Sequence, residues 1–302
     1  MTCCVRVQPP ASLHRFQSRW RGLIGQFLTV LMMFGLATWY SQAAARGATD
    51  AQSATGTAGR AAAAVSRGKP ASPQVMKILG MLYHRGGTLK NFTANLRVTI
   101  KHLRSGETDI NLGKIWYENK KGHTRFDIHF SILAVDGAIA RHHADHDIIF
   151  DGRWLIDRDG SAKIYRKIEI APPGTHFNPL KLGQGPIPIP IGQRPATVLR
   201  EFHVRLLKPV KTQPHLVVLK LIPRDPKAFT FLSLTFWINT ELQLPISIRR
   251  VDPDGTPTLA AFSKIKINAA MHHSFHVSPP PSNAGWTISI QRARKEPGKA
   301  NR

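Results

Sequence analysis

Apolar residues occupy every second position from Phe92 to Ile100, and Thr, Asn and Arg residues lie between them. Such alternation is typical of a strand that buries one face. The same kind of pattern predicts further strands at residues 110–117, 125–132, 147–150, 154–157, 163–168, 216–222, 232–239, 246–252 and 258–268. About ten strands joined by short turns predict an α+β fold built on a large antiparallel sheet, which has to curl because strands twist.

Helical spacing is limited to short segments. Ser72 and Pro73 are typical of an N-cap and a first helical position, and apolar residues then recur three or four positions apart as far as Gly86. A second helix is predicted over residues 195–202. Between the two, residues 171–194 contain six prolines and therefore cannot form a central strand; at most a helical turn fits around Asn178–Leu182.

The N-terminal segment has the three parts of a secretory signal. It is basic without any acid as far as Arg21, apolar from Leu23 to Leu36, and rich in small residues where cleavage after Ala43 or Ala45 fits. An uncleaved signal anchor stays open, because residues 22–40 approach the length of about 20 that spans a bilayer. Both interpretations export the rest of the chain, and the predicted location is the periplasm, with an inner-membrane tether if the signal is not cleaved.

Composition divides the rest of the chain. An Ala-, Gly- and Ser-rich stretch predicts a flexible linker, and the basic C-terminus predicts a disordered tail. The predicted parts are a signal at 1–45, a linker at 46–72, a folded domain at 73–291 and a tail at 292–302. The only two cysteines, Cys3 and Cys4, precede the apolar run. A cleaved protein would therefore contain no thiol for disulfides, catalysis or metal binding.

The chain is strongly basic, with 42 Lys and Arg against 18 Asp and Glu and a formal net charge of +24. This excess favours anionic partners in general. The basic residues are spread along the chain, and no helix-turn-helix, zinc-finger or RNP pattern accompanies them, so we predict no nucleic-acid partner. The charge alone does not identify which anionic surface the protein meets.

The sequence contains no motif of a known catalytic class. Nucleophile-elbow, phosphate-loop, dinucleotide and zinc-protease patterns are missing from it, and its acids form no glycosidase pair. We therefore expect that the protein is not an enzyme, that it has no catalytic residue and that it needs no cofactor.

Two groups of histidines are candidates for metal ligands, because histidines that converge can bind zinc or copper. The groups are His142, His143, Asp145 and His146, and His272, His273 and His276. In an extended segment, neighbouring histidines point to opposite faces, so only part of the first group can meet. The alternative is a solvated, His-rich surface loop, and no metal site is predicted.

Several motifs follow one another in a fixed order along the predicted sheet. They are Phe-Thr-Ala-Asn-Leu at 92–96, Gly-Lys-Ile-Trp at 113–116, an apolar strand with Asp-Gly and Trp at 148–155, Leu-Thr-Phe-Trp-Ile-Asn at 234–239, and Phe-His-Val-Ser-Pro at 275–279. In this order they resemble the LolA family, the carriers that sort outer-membrane lipoproteins. The resemblance covers residues 73–291.

The resemblance implies a half-barrel sheet with short helices as a lid over an apolar interior that receives acyl chains. We expect the acyl cavity to be lined by Leu96, Val98, Phe126, Ile128, Phe130, Phe150, Leu234 and Phe236; the alternative is that these side chains simply fill a core. The implied function is a periplasmic carrier that binds the acyl chains of lipoproteins or other lipid and moves them across the envelope. The implied partners are an inner-membrane transporter and an outer-membrane receptor, and the carrier is expected to be a monomer. An envelope sensor or scaffold without lipid cargo is the alternative.

Overall fold

The computed structural model describes residues 72–120, 122–139, 145–171, 178–182, 188–208 and 213–293. The predicted signal lies outside the described residues, as do nearly all of the predicted linker and tail and both His142 and His143. Within the described part of the chain, thirteen strands form a single sheet accompanied by two α-helices. The predicted curved, open α+β sheet is confirmed. Neither helix is long and apolar enough to cross a membrane.

The bounds of the elements follow the predicted pattern closely. The helices are α1 (Pro73–Thr88) and α2 (Pro195–Glu201). The strands are β1 (Asn91–Lys101), β2 (Thr108–Lys120), β3 (His123–Val135), β4 (Ala138–Ile139), β5 (His146–Phe150), β6 (Trp154–Asp159), β7 (Ile164–Glu169), β8 (Phe202–Leu206), β9 (Leu216–Pro223), β10 (Ser233–Asn239), β11 (Leu244–Val251), β12 (Pro257–Ile267) and β13 (Thr287–Gln291).

The strands follow the order β13-β7-β6-β5-β3-β2-β1-β12-β11-β10-β9-β8, and β4 pairs with β3 beside this path. Neighbours are antiparallel, except that β13 lies parallel to β7. The sequence did not predict β4, β8 or β13. Strand β8 begins directly after α2, because Phe202 has extended dihedral angles of −130° and 148° where the helix was expected to continue.

Strand register defines two faces, because residues directly opposite one another in neighbouring strands point the same way. We call inner the face that carries Phe92, Tyr117, Phe126 and Phe150, which are successive partners across β1, β2, β3 and β5. All four side chains are buried. The opposite face, which carries Trp116, is the outer face.

Helix α1 begins as predicted, with the Ser72 hydroxyl accepting a hydrogen bond from the Val75 backbone N–H at 3.3 Å. Near its end, a Cβ added to Gly86 would lie 2.2 Å from the Gly192 Cα. Only glycine therefore allows this close approach. The Gly192 N–H donates to the Leu82 carbonyl at 3.1 Å, which fastens the segment 188–193 to the helix.

The outer face of the β2–β7 half is covered by residues 269–286, which we call the C-terminal strap. Its Phe275 is buried in one cluster with Ile149, Ile156 and Tyr165. The Tyr165 hydroxyl donates to the Val277 carbonyl at 3.2 Å. The strap therefore buries the centre of the outer face in this half of the sheet.

Candidate functional site

An apolar pocket lies on the inner face, between the sheet and the segment 188–193. Its cavity volume is only about 20 Å³, roughly the space of one water molecule, so it is far smaller than ligand pockets of about 300–1,000 Å³. Its walls are Phe92 and Ala94 of β1, Ile189 and Ile191 of the covering segment, Leu244 and Pro245 of β11, and Phe262 and Ile265 of β12. Every lining residue is apolar, so the pocket suits a ligand that needs no hydrogen bonds.

Two register shifts flank this pocket. The β1–β12 pairing shifts between Thr93 and Asn95, opposite Lys264, which has a positive φ of 51°. The β10–β11 pairing shifts between Trp237 and Ile238, next to Pro245. Bulges bend strands and increase their twist. The sheet therefore bends on both sides of the pocket.

Aromatic rings continue the apolar surface beside the pocket. The rings of Phe92 and Tyr117 are stacked with centroids 5.2 Å apart. Burial raises the pKa of Tyr117 to about 12, although a hydrogen bond with Thr124 works in the opposite direction. The Tyr117 hydroxyl therefore stays neutral at physiological pH, and this part of the inner face presents no charge to an apolar ligand.

The eight predicted cavity residues all lie on the inner face, and none of them lines this pocket. Val98 is half-buried, and the other seven are buried. Leu96 and Val98 lie in β1 itself, beyond the pocket along the strand. The others lie on either side of the pocket strands: Phe126 and Phe150, for example, have ring centroids 5.9 Å apart in β3 and β5, whereas Leu234 and Phe236 lie in β10. Their role in binding an acyl chain stays a prediction.

None of the residues that line the pocket is among the eight predicted cavity residues. Phe92 and Ala94 belong to the strand that was predicted best, so their position on the inner face was available from the alternation. Ile189 and Ile191 alternate with Pro188 and Pro190, and this apolar alternation inside the proline-rich segment was the available signal for a buried loop.

The two histidine groups are separated within the described residues. His146 lies in β5 on the inner face, buried, with its Nε2 2.6 Å from Asp157 Oδ1. On the strap, His272 and His276 are exposed. His273 reaches the outer face, where its Nε2 lies 2.8 Å from Asp127 Oδ2. These histidines therefore make separate contacts and do not share a site.

A different trio, His129, Asp145 and Asp147, brings potential ligand atoms within 4.8 Å of one another. The Arg158 guanidinium lies among them and donates to Asp145 Oδ1 and to Asp147 Oδ2, both at 2.8 Å. These hydrogen bonds raise the pKa of Arg158 above its ordinary value. A metal ion would have to displace this cation, so the trio is already charge-compensated.

Asp127 is a buried acid on the outer face, beneath the strap. Burial raises the pKa of its carboxyl, and the hydrogen bond and positive charge of His273 oppose that rise. Its Oδ1 has no hydrogen-bond partner among the described residues. The contact with His273 is therefore the one that compensates this carboxylate.

Comparison with known proteins adds fold likeness only. No protein-family model matches the chain, and no curated protein matches it. Among solved structures, it is similar to the Pseudomonas aeruginosa MucA/MucB complex, with 15% identity and a TM-score of 0.39 over 68% of this chain and 61% of that chain. This chain thus spans about three fifths of that relative.

LolA-superfamily structures are also among the similar proteins. One is a LolA superfamily protein from Nitrosomonas europaea, with 12% identity and a TM-score of 0.30 over 65% of this chain and 94% of that chain. Another is an outer membrane lipoprotein-sorting protein domain from Vibrio parahaemolyticus, with 13% identity and a TM-score of 0.31 over 66% of this chain and 95% of that chain. Both names belong to the family that the ordered motifs resemble.

Proposed function

We propose that this protein is a periplasmic carrier that holds an acyl chain of a lipoprotein, or of another lipid, against the inner face of its sheet. The observation that carries the proposal is the apolar pocket between the sheet and the segment that contains Ile189 and Ile191. The proposal assigns no catalytic residue and no cofactor. It includes a monomer that receives cargo from an inner-membrane transporter and delivers it to an outer-membrane receptor.

The chemistry of an acyl chain fits this pocket. A methylene needs no hydrogen-bond partner, and its burial contributes about 0.8 kcal/mol, so each carbon of the chain that the pocket buries adds affinity. The pocket is too small for a whole lipid. We therefore assign it to the terminal carbon of one acyl chain, and the rest of the chain requires the segment with Ile189 and Ile191 to move away from the sheet.

Native mass spectrometry of the protein purified from an envelope fraction tests the proposal. Lipid or acylated peptide that co-purifies, and that is displaced by added fatty acid, is the expected result. Protein that is consistently empty, and that also fails to bind a fluorescent acyl probe, would contradict a carrier.

An envelope sensor or scaffold without lipid cargo is the second candidate. The observation that favours it is the close filling of the inner face, where Phe126, Leu234 and Phe236 have 0% exposed surface. Empty protein that binds a protein partner from the envelope, with an affinity that pocket substitutions leave unchanged, is the result expected of a scaffold.

A further inference from the structure

The outer face has a second half that the strap does not cover, formed by β1, β12, β11, β10, β9 and β8. These six strands contain no Asp or Glu, whereas each of β2, β3, β5, β6 and β7 contains at least one. Outward-facing cations lie on five of the six strands, and we call this surface the basic face. Its cations include Arg97, Arg205, Lys220, Arg249 and Lys266.

Register places three of these cations in one row. Arg249 of β11 lies opposite Thr235 of β10, Thr235 lies opposite Lys220 of β9, and Lys220 lies opposite Arg205 of β8. Leu259 of β12 continues the row beside Arg249. Partners that are directly opposite share one face, so the row crosses five neighbouring strands on the same surface.

The cations of the basic face are available to a partner. Arg205 and Arg249 are exposed, and Lys220 is half-buried. The ion pairs found among the described residues use other cations, such as Arg153 and Arg158. Like charges directly opposite one another destabilise a sheet. The Arg205–Lys220 pair therefore carries a repulsion that a bound anion would remove.

We propose that the basic face docks onto a bilayer that contains anionic phospholipid. Neighbouring strands lie about 4.8 Å apart, so the three positive charges of the row are spread over roughly 14 Å instead of being concentrated at one point. Such a spread matches a fluid layer of phosphate headgroups, to which each surface Lys or Arg adds attraction.

Apolar and aromatic side chains on the same surface fit a membrane interface. Leu259 is 38% exposed, and Trp237 is half-buried on the outward side of β10. Nucleic-acid grooves are usually entered by a helix or a two-stranded ribbon, and the basic face is a sheet surface. Its charge pattern therefore favours headgroups over a duplex.

The test is flotation of the exported protein, as purified from cells, with vesicles of phosphatidylcholine alone or with about one third phosphatidylglycerol. The test variant combines Arg205→Gln, Lys220→Gln and Arg249→Gln. The control variant removes the same charge from exposed cations elsewhere and combines Lys77→Gln, Arg104→Gln and Lys227→Gln.

We expect the test variant to lower partitioning onto anionic vesicles at least tenfold, and the control variant to lower it less than threefold. The melting temperature of the test variant should not fall, since the substitutions remove a repulsive pair. Equal losses in both variants, or equal binding to neutral vesicles, would overturn the proposal. The protein is also tested with polyglutamate and with duplex DNA. If either binds more tightly than anionic vesicles, and the three substitutions weaken that binding, lipid is not the partner of the basic face. Binding of a fluorescent acyl probe is measured on the same variants, because docking through the basic face does not depend on cargo in the pocket and the two proposals can fail separately.

Discussion

His273 on the C-terminal strap and Asp127 on β3 are joined by a 2.8 Å contact, although they lie 146 positions apart in the chain. The His273 ring also stacks on Trp116, with centroids 4.2 Å apart and planes that differ by 1°. This one side chain therefore combines a hydrogen bond and a ring contact at the place where the strap crosses the outer face.

His273→Ala tests how much this contact holds the strap. The substitution leaves Asp127 buried without its partner, and the loss of such a partner lowers the free energy of unfolding by about 1–3 kcal/mol. Urea unfolding measures the change. The control is His272→Ala on the exposed neighbour, for which we expect a change within about 0.5 kcal/mol. Equal effects of the two substitutions would argue against the contact.

The raised pKa of Asp127 predicts a pH dependence. A carboxyl with a folded-state pKa above its unfolded value, which is about 3.9, contributes most stability below that value. The contribution is lost as pH rises through the folded-state pKa. We therefore expect the native protein to lose stability relative to Asp127→Asn as pH rises from about 4 towards neutrality.

Urea unfolding of both proteins at a series of pH values measures this difference. The ionisable groups around Asp127 are His273, His129 and Asp147, and they are present in both proteins. A native protein that gains stability relative to the variant as pH rises would show that the attraction of His273 exceeds the effect of burial.

Ala94→Leu tests the pocket by filling it. Ala94 lines the pocket with 3% of its surface exposed, so a larger side chain occupies the space assigned to the acyl end. We expect the Kd for a fluorescent acyl probe to rise at least tenfold, with a loss of stability of no more than about 1–3 kcal/mol from overpacking. Ala138→Leu on exposed β4 is the matched control. An equal rise in the Kd of this control would show that the probe does not bind in the pocket.

Leu234→Ala separates the core from the pocket. Leu234 has 0% exposed surface and does not line the pocket. We expect the free energy of unfolding to fall by about 2–5 kcal/mol because a buried side chain is lost, while probe affinity changes less than threefold. A large loss of affinity in protein that is still folded would extend the acyl site to β10, as the sequence resemblance implied.

Gly86→Ala tests the junction between α1 and the segment that covers the pocket. The added Cβ would lie 2.2 Å from the Gly192 Cα, so one backbone has to move. We expect lower thermal stability and weaker probe binding, since the movement displaces Ile191. Gly80→Ala, which meets nothing within 4 Å, should instead stabilise the helix by roughly 0.5–1 kcal/mol. Gly86→Ala that behaves like Gly80→Ala would exclude this role.

The sequence predicts those parts of the fold in which the type of each residue follows from its local burial or from its place at a helix end. Phe92, Leu96 and Ile100 alternate with polar residues because one face of β1 is buried, and Ser72 marks the start of α1 because it caps the helix. Strand β13 lacks such a signal. Its Ile288 and Ile290 are 37% and 53% exposed, and its partner β7 lies far away in the chain.

The candidate site was harder to predict for a similar reason. A local pattern identifies which face of β1 is buried, but it does not show which segment covers that face. Ile189 and Ile191 reach the pocket through the contact between Gly86 and Gly192, which depends on the packing of distant elements. His146 is a related case: the neighbouring histidines suggested a surface loop, whereas β5 buries this one beside Asp157.

The pairing of β1 with β12 at the middle of the sheet also has a consequence for the order of folding. The Lys90 N–H donates to Asn268 Oδ1 at 2.8 Å across 178 positions, and the strand pair begins beside this contact. Contacts between distant residues form slowly, because the loop has to close before they contribute stability. Phe92 and Ala94 of β1 face the pocket together with Phe262 and Ile265 of β12, so the pocket forms only after this long-range pairing. The pocket is therefore completed late in folding.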